Sequence, residues 1–278
     1  MLCLKLMGND RMSDINKNRE EIKSQLPKYY DYYWQFLDNN NYFDFNVSSS
    51  NFHPLKIEPQ ILFSGSSALV QSYHDLISNI CFSLAADKLA NEIEIASLAN
   101  YFRFKVRNPN TKLSVHNFYR FLDHSAFHLN ELSLGYLLGA NPRYVNFRKL
   151  QNIQNIPDDI KTEIISGKDI LLQKAFSTLT DRGKEILRKF RDVDEHRFPL
   201  GIDCIFYTFS RGNVEIRIDD KNGRLFLIGN PEGDCYNFYG APDFKFSELK
   251  PILSILGNNA KIIMQTFCQN GLLAFKSE

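Results

Sequence analysis

Between Ser64 and Leu89 the apolar residues Leu69, Tyr73, Leu76, Ile77, Ile80, Leu84 and Leu89 recur every three or four positions. At about 100° per residue they line one stripe of a single helix. Ser64 or Ser66 can cap its start, and His74 and Asp75 fall on the polar side. Similar stripes predict helices over Ser13–Leu37, Glu92–Phe104 and Ser114–Leu138, with Asn108-Pro109-Asn110 as a turn between the last two. Pro27 is expected to break or kink the first of these. Asn39–Pro59 reads as a polar loop with Ser48-Ser49-Ser50 as its joint. Pro157-Asp158-Asp159 opens another helix, which Gly167 is expected to interrupt. Thr180 or Asp181 caps a last one, with Ile186, Leu187, Phe190 and Val193 on its buried side.

After Pro199 the period changes. Ile202–Phe209, Val214–Ile218 and Arg224–Ile228 are rich in β-branched and aromatic residues and read as strands, with Asp219–Gly223 as a hairpin turn. Cys235–Tyr239, Lys261–Phe267 and Leu272–Phe275 are further strand candidates, and Ser247–Leu256 a short helix. The expected fold is therefore α+β: a mainly helical bundle, then a small antiparallel β-sheet module with one helix. The expected division is a helical extension over 1–60, the bundle over 61–200 and the α+β module over 201–278.

With 44% hydrophobic and 23% charged residues, the composition suits a soluble globular protein. Lys+Arg 33 against Asp+Glu 32 supplies no global basic field, so any nucleic-acid contact needs a local patch. Cys3, Cys81, Cys204, Cys235 and Cys268 are odd in number and widely spaced, which points to a reducing, cytoplasmic setting rather than a disulfide framework. No apolar run is long enough to span a bilayer, and Met1–Met7 is too short for a signal peptide. No phosphate loop, nucleotide fingerprint or nucleophile elbow occurs, so no cofactor is implied.

The most chemically loaded stretch is Arg191-Asp192-Val193-Asp194-Glu195-His196-Arg197, at the end of the last helical pattern. Histidine can take and give a proton near neutral pH. Arginine holds a phosphate with a planar fork of donors. Asp192 and His196 are i,i+4 neighbours, whereas Arg191 lies about 140° round the helix from His196. The pair converges better if the helix ends near Glu195, as Pro199 and Gly201 suggest, or if a second copy supplies a facing pair.

Arg191, polar Asp192, three further residues and His196 together resemble the signature of HEPN domains, helical bundles found in prokaryotic ribonuclease toxins and defence proteins. The resemblance spans the motif and its helical setting, Ile61 to Phe198. It implies a metal-independent endoribonuclease, acting as a toxin or in phage defence, that works as a homodimer with two motifs across one groove. His196 is then general base or acid, Arg191 stabilises the phosphorane, and Asp192 orients the histidine or the hydroxyl. Lys184, Arg188, Lys189 and Arg197 would hold the RNA backbone. A protein partner or antitoxin would dock on the C-terminal module. Some family members carry a tyrosine two residues after the histidine as a modification site. This chain has Phe198 there.

Other readings of the same residues stand beside it. Arg191 with Glu195 and Arg188 with Asp192 also fit a solvated helix face laced by ion pairs. Leu179–Leu187 resembles the wing-to-helix passage of winged-helix DNA-binding regulators, but the residues before Leu179 read as helix. His124 and His128, one helical turn apart, match the spacing of a zinc pair, with Glu131 or His116 as a third ligand; the stretch lacks the glutamate of the zinc-protease motif, and a polar helix face or a histidine hydrogen-bonded at a helix contact is the favoured reading. Trp34, among Tyr29, Tyr30, Tyr32 and Tyr33, is expected to pack against the bundle rather than stack bases, since Asp31 and Asp38 flank it. A non-catalytic dimeric scaffold is the second function considered.

Overall fold

Helix α2, Pro59–Glu92, is the hub on which the other helices pack. The computed structural model describes residues 10–44, 59–139, 141, 145–153, 156, 160, 162–196, 202–203, 208–210, 213–215 and 244–273. Within these, the side chains of 10–18, 59–64, 189, 191–196, 208–210 and 213–215 lie outside the description. Helix α1, Asp10–Asn39, runs across α2 and contains Pro27, which is exposed and does not end it. Tyr33 stacks on Phe82 of α2 at 4.3 Å between centroids, and Tyr29 packs on Phe82 and Phe102. The aromatic cluster is split: Tyr29 and Tyr33 are buried, whereas Tyr30 and Trp34 are about half exposed.

After Glu92 the chain breaks briefly, then forms α3, Ala96–Tyr101, a π-helical turn, Phe102–Arg107, and α4, Asn108–Leu132. The expected turn at Asn108-Pro109-Asn110 is thus the first turn of α4. Pro109 stands in that first turn, directly after the π turn. In the π turn the Asn108 N–H reaches the Arg103 carbonyl, five residues back. This wider spacing shifts the helical register, and Phe102 and Arg107 become the buried residues of the turn.

Three short elements follow: α5, Phe147–Gln151, α6, Thr162–Lys174, and α7, Asp181–His196. Gly167 does not interrupt α6. A Cβ there would lie 2.5 Å from Leu272 Cδ1 and 3.0 Å from Leu129 Cδ2, so the glycine lets α6 approach its neighbours closely. Thr180 does cap α7: its hydroxyl accepts the Gly183 N–H at 3.0 Å.

The expected antiparallel sheet module is overturned. Of the described residues, 79% are helical. Lys261–Phe267, read as a strand, belongs to α8, Phe246–Gln269, which also absorbs the expected short helix over Ser247–Leu256. Leu249, Ile252, Leu253, Leu256, Ala260, Ile263, Met264 and Phe267 are all buried at helical spacing, and this long stripe outweighs the local β preference of Ile262 and Ile263. At Gly257, inside α8, a Cβ would lie 2.8 Å from the Tyr42 hydroxyl, so the glycine serves close packing there. Strand pairing among the described residues is limited to a hairpin of β1, Thr208–Ser210, with β2, Asn213–Glu215, and one parallel bridge between Ile202 and Phe244. The strands expected over 224–228 and 235–239, the turn at 219–223 and the loop over 45–58 lie outside the described residues. Helix α8 shares one apolar core with α2, α4 and α6. No helix among the described residues is long and apolar enough to cross a membrane.

Candidate functional site

Helix α7 carries the motif in its last two turns. Its buried side is Ile186, Leu187 and Phe190, as its pattern predicts; the side chain of Val193 lies outside the described residues. Gly183, also buried, faces Ile252 of α8. Lys184 and Arg188 are exposed on the outer side of the helix, Lys184 3.6 Å from Asp181. The backbone of Arg191, Asp192 and His196 is helical, and the span of α7 matches the expected one. The side chains of Lys189, Arg191, Asp192 and His196 lie outside the described residues, as do all of Arg197 and Phe198.

What the fold assembles beside the far end of α7 was not foreseen. The Phe190 ring packs on Phe244 at 5.3 Å between centroids, and Phe244 bridges to Ile202. The next residue, Asp203, sits at φ +50°, a left-handed conformation that aspartate adopts more readily than most residues. Its N–H donates to the Phe244 carbonyl at 2.9 Å, and its Oδ1 accepts the Phe246 N–H at 2.9 Å. Asp203 thereby caps α8, whose own flanking residue, Lys245, offers no side-chain cap.

The other oxygen of Asp203 receives Nη2 of Arg107, a residue only 3% exposed. Arg107 Nη1 donates to Asp87 Oδ1 at 3.2 Å, and Nε to Asn108 Oδ1 at 3.1 Å. Its guanidinium lies over the Phe246 ring at 4.3 Å. Lys250 Nζ donates to the second Asp87 oxygen at 3.1 Å, and Asn108 Nδ2 to the Ile202 carbonyl at 2.7 Å. Two cations and two carboxylates thus neutralise one another where α2, the π turn, α8 and residues 202–203 meet. Arg107 and Asp87 are buried, whereas Asp203 and Lys250 reach solvent, and burying the first pair is tolerable only because each is paired and hydrogen-bonded.

The sequence carried little signal for this cluster. Arg107 is 20 residues from Asp87 and 96 from Asp203, and Lys250 is 163 from Asp87. Arg107 also belongs to a run of alternating basic residues, Arg103, Lys105 and Arg107, which resembles a solvated face. Only the register shift of the π turn sends it inward.

His124 and His128, the pair on α4 at metal-ligand spacing, address separate backbone groups. His128, fully buried, donates from Nε2 to the Leu272 carbonyl at 2.6 Å, while its Nδ1 has no partner and faces Gly65. Burial pushes its pKa down to about 4, against the partial support of that carbonyl. His124 Nδ1 lies 3.3 Å from the Ala68 oxygen, and Asp123 accepts the Phe147 N–H at 2.9 Å. Among the described residues no group of three His, Cys, Asp or Glu side chains is placed to hold a metal ion.

Fold and site together define a helical-bundle protein in which α2, the π turn, α8 and residues 202–203 are joined by an ionic cluster round buried Arg107. No protein-family model matches the chain, and no curated protein or solved structure is detectably similar to it.

Proposed function

We propose that the protein is a metal-independent endoribonuclease of the HEPN type that works as a homodimer in a reducing cytoplasm. The observation that supports this most is the placement of the motif. Arg191 to His196 occupy the last turns of α7, a helix docked into the bundle by Ile186, Leu187 and Phe190.

In this reading the ribose 2′-oxygen bonds to the neighbouring phosphorus while the bond to the 5′-oxygen breaks. His196 takes the 2′-hydroxyl proton, and a protonated histidine, its own or the second copy's, gives one to the departing 5′-oxygen. Arg191 stabilises the charge that builds on the phosphorane, and Asp192 orients the imidazole. Lys184 and Arg188, exposed on α7, offer contacts to the RNA backbone.

The test is cleavage of a mixed RNA substrate in the presence of chelator, by the native protein and by the Arg191→Ala and His196→Ala variants. A second reading, a non-catalytic dimeric scaffold, is favoured by the exposed aromatic pair Tyr30 and Trp34, which share one face of α1. It predicts no cleavage by the native protein and loss of self-association in Trp34→Ala.

A further inference from the structure

Two of the strained backbone positions in the fold bracket α7. Thr178, before it, is a β-branched residue at φ +62°, and Asp203, after it, is at φ +50°. Such conformations persist only where surrounding contacts impose them. Contacts from α8 take part in imposing both. Asn259, 2% exposed on α8, donates to the Ser177 carbonyl at 2.8 Å and accepts the Ser177 hydroxyl at 3.2 Å. Asp203 is fixed by the Phe246 N–H and by buried Arg107. Phe190 is locked against Phe244, whose carbonyl holds Asp203. The start of α7 and its Phe190 are thus each held by contacts that lead to α8.

We propose that Asp203 and Asn259 are positioning residues that set the axis of α7 and so the aim of its last two turns. This rests on the reading of Arg191 and His196 as the reacting pair. A clamp of this kind suits a site whose two groups stand about 140° apart on their helix, because they meet a substrate or a second copy only if the axis is held.

The test compares Asp203→Asn and Asn259→Ala with the native protein in the full chain. The asparagine keeps the left-handed turn and the acceptor for the Phe246 N–H, and weakens only the hold of Arg107. Two quantities are read: kcat and KM for RNA cleavage, and amide exchange across α7 by mass spectrometry. The expected result is a fall in kcat of ~10-fold or more with KM held, together with faster exchange in α7 and unchanged exchange in α2 and α4. Native-like exchange in α7 in both variants overturns the proposal, whatever happens to kcat. If the native protein cleaves no RNA, the ribonuclease reading fails separately and exchange in α7 alone decides the clamp.

Discussion

His128 and Leu272, 144 residues apart, are joined by a 2.6 Å hydrogen bond from imidazole Nε2 to a backbone carbonyl, and that bond pins the chain after α8 to α4. The imidazole is fully buried and neutral. Its pKa is lowered from the usual 6.5 to about 4, so between these values the unfolded chain binds a proton that the folded protein refuses. Stability from this group is complete above about pH 6.5 and is lost as pH falls toward 4, on the order of 3 kcal/mol in all. Urea unfolding of native protein and His128→Gln at pH 7 and pH 4.5 checks this. The variant is expected to lose that part of the pH dependence, and an unchanged slope would contradict the assignment.

Gly65→Ala probes the same contact from α2. The added Cβ would meet His128 Nδ1 at 2.4 Å, and the ring cannot retreat without breaking its bond to Leu272. A destabilisation of about 1–3 kcal/mol is expected, several-fold larger than for an alanine at the exposed neighbour Ser67. Equal effects at the two positions would mean that α2 and α4 are less tightly apposed than described.

The ionic cluster predicts an asymmetric response. Asp87→Asn leaves Arg107 buried with one carboxylate fewer and takes the charge partner from Lys250. Removing one member of a buried pair costs about 3–5 kcal/mol, most of it from the charge left behind. Replacing Arg107 by methionine alongside Asp87→Asn should recover part of that loss. Chemical denaturation of the single and double variants measures the coupling, and strict additivity would argue against a shared network.

Leu253→Ala tests the place of α8 in the core. Leu253 is fully buried within a cluster that includes residues of α2, α4 and α6. A loss of about 2–5 kcal/mol in one cooperative transition is expected. A separate early transition confined to the C-terminal part would show that α8 folds apart from the bundle.

The helical bundle was legible because long apolar stripes are decisive over 20 residues or more, as in α2. Reading failed where a short local preference competed with such a stripe. Ile262 and Ile263 suggested a strand and the helix before them was expected to end at Leu256, yet the apolar spacing from Leu249 to Phe267 runs through both. Gly167 was read as an interruption, although its role is to let neighbouring side chains approach. Pro109 was read as a turn because a proline in the first turn of a helix looks the same in sequence. The cluster round Arg107 was invisible, since its members lie far apart and a single wide turn decides which way the arginine faces.

Cleavage of RNA with chelator present, by native protein and by the Arg191→Ala and His196→Ala variants, bears on the proposed activity most directly. The native protein should cut, leaving 2′,3′-cyclic phosphate ends, and each variant should lose at least ~100-fold in rate while melting at the native temperature. Undiminished cutting by both variants, or no cutting by well-folded native protein across varied RNA substrates, would contradict it.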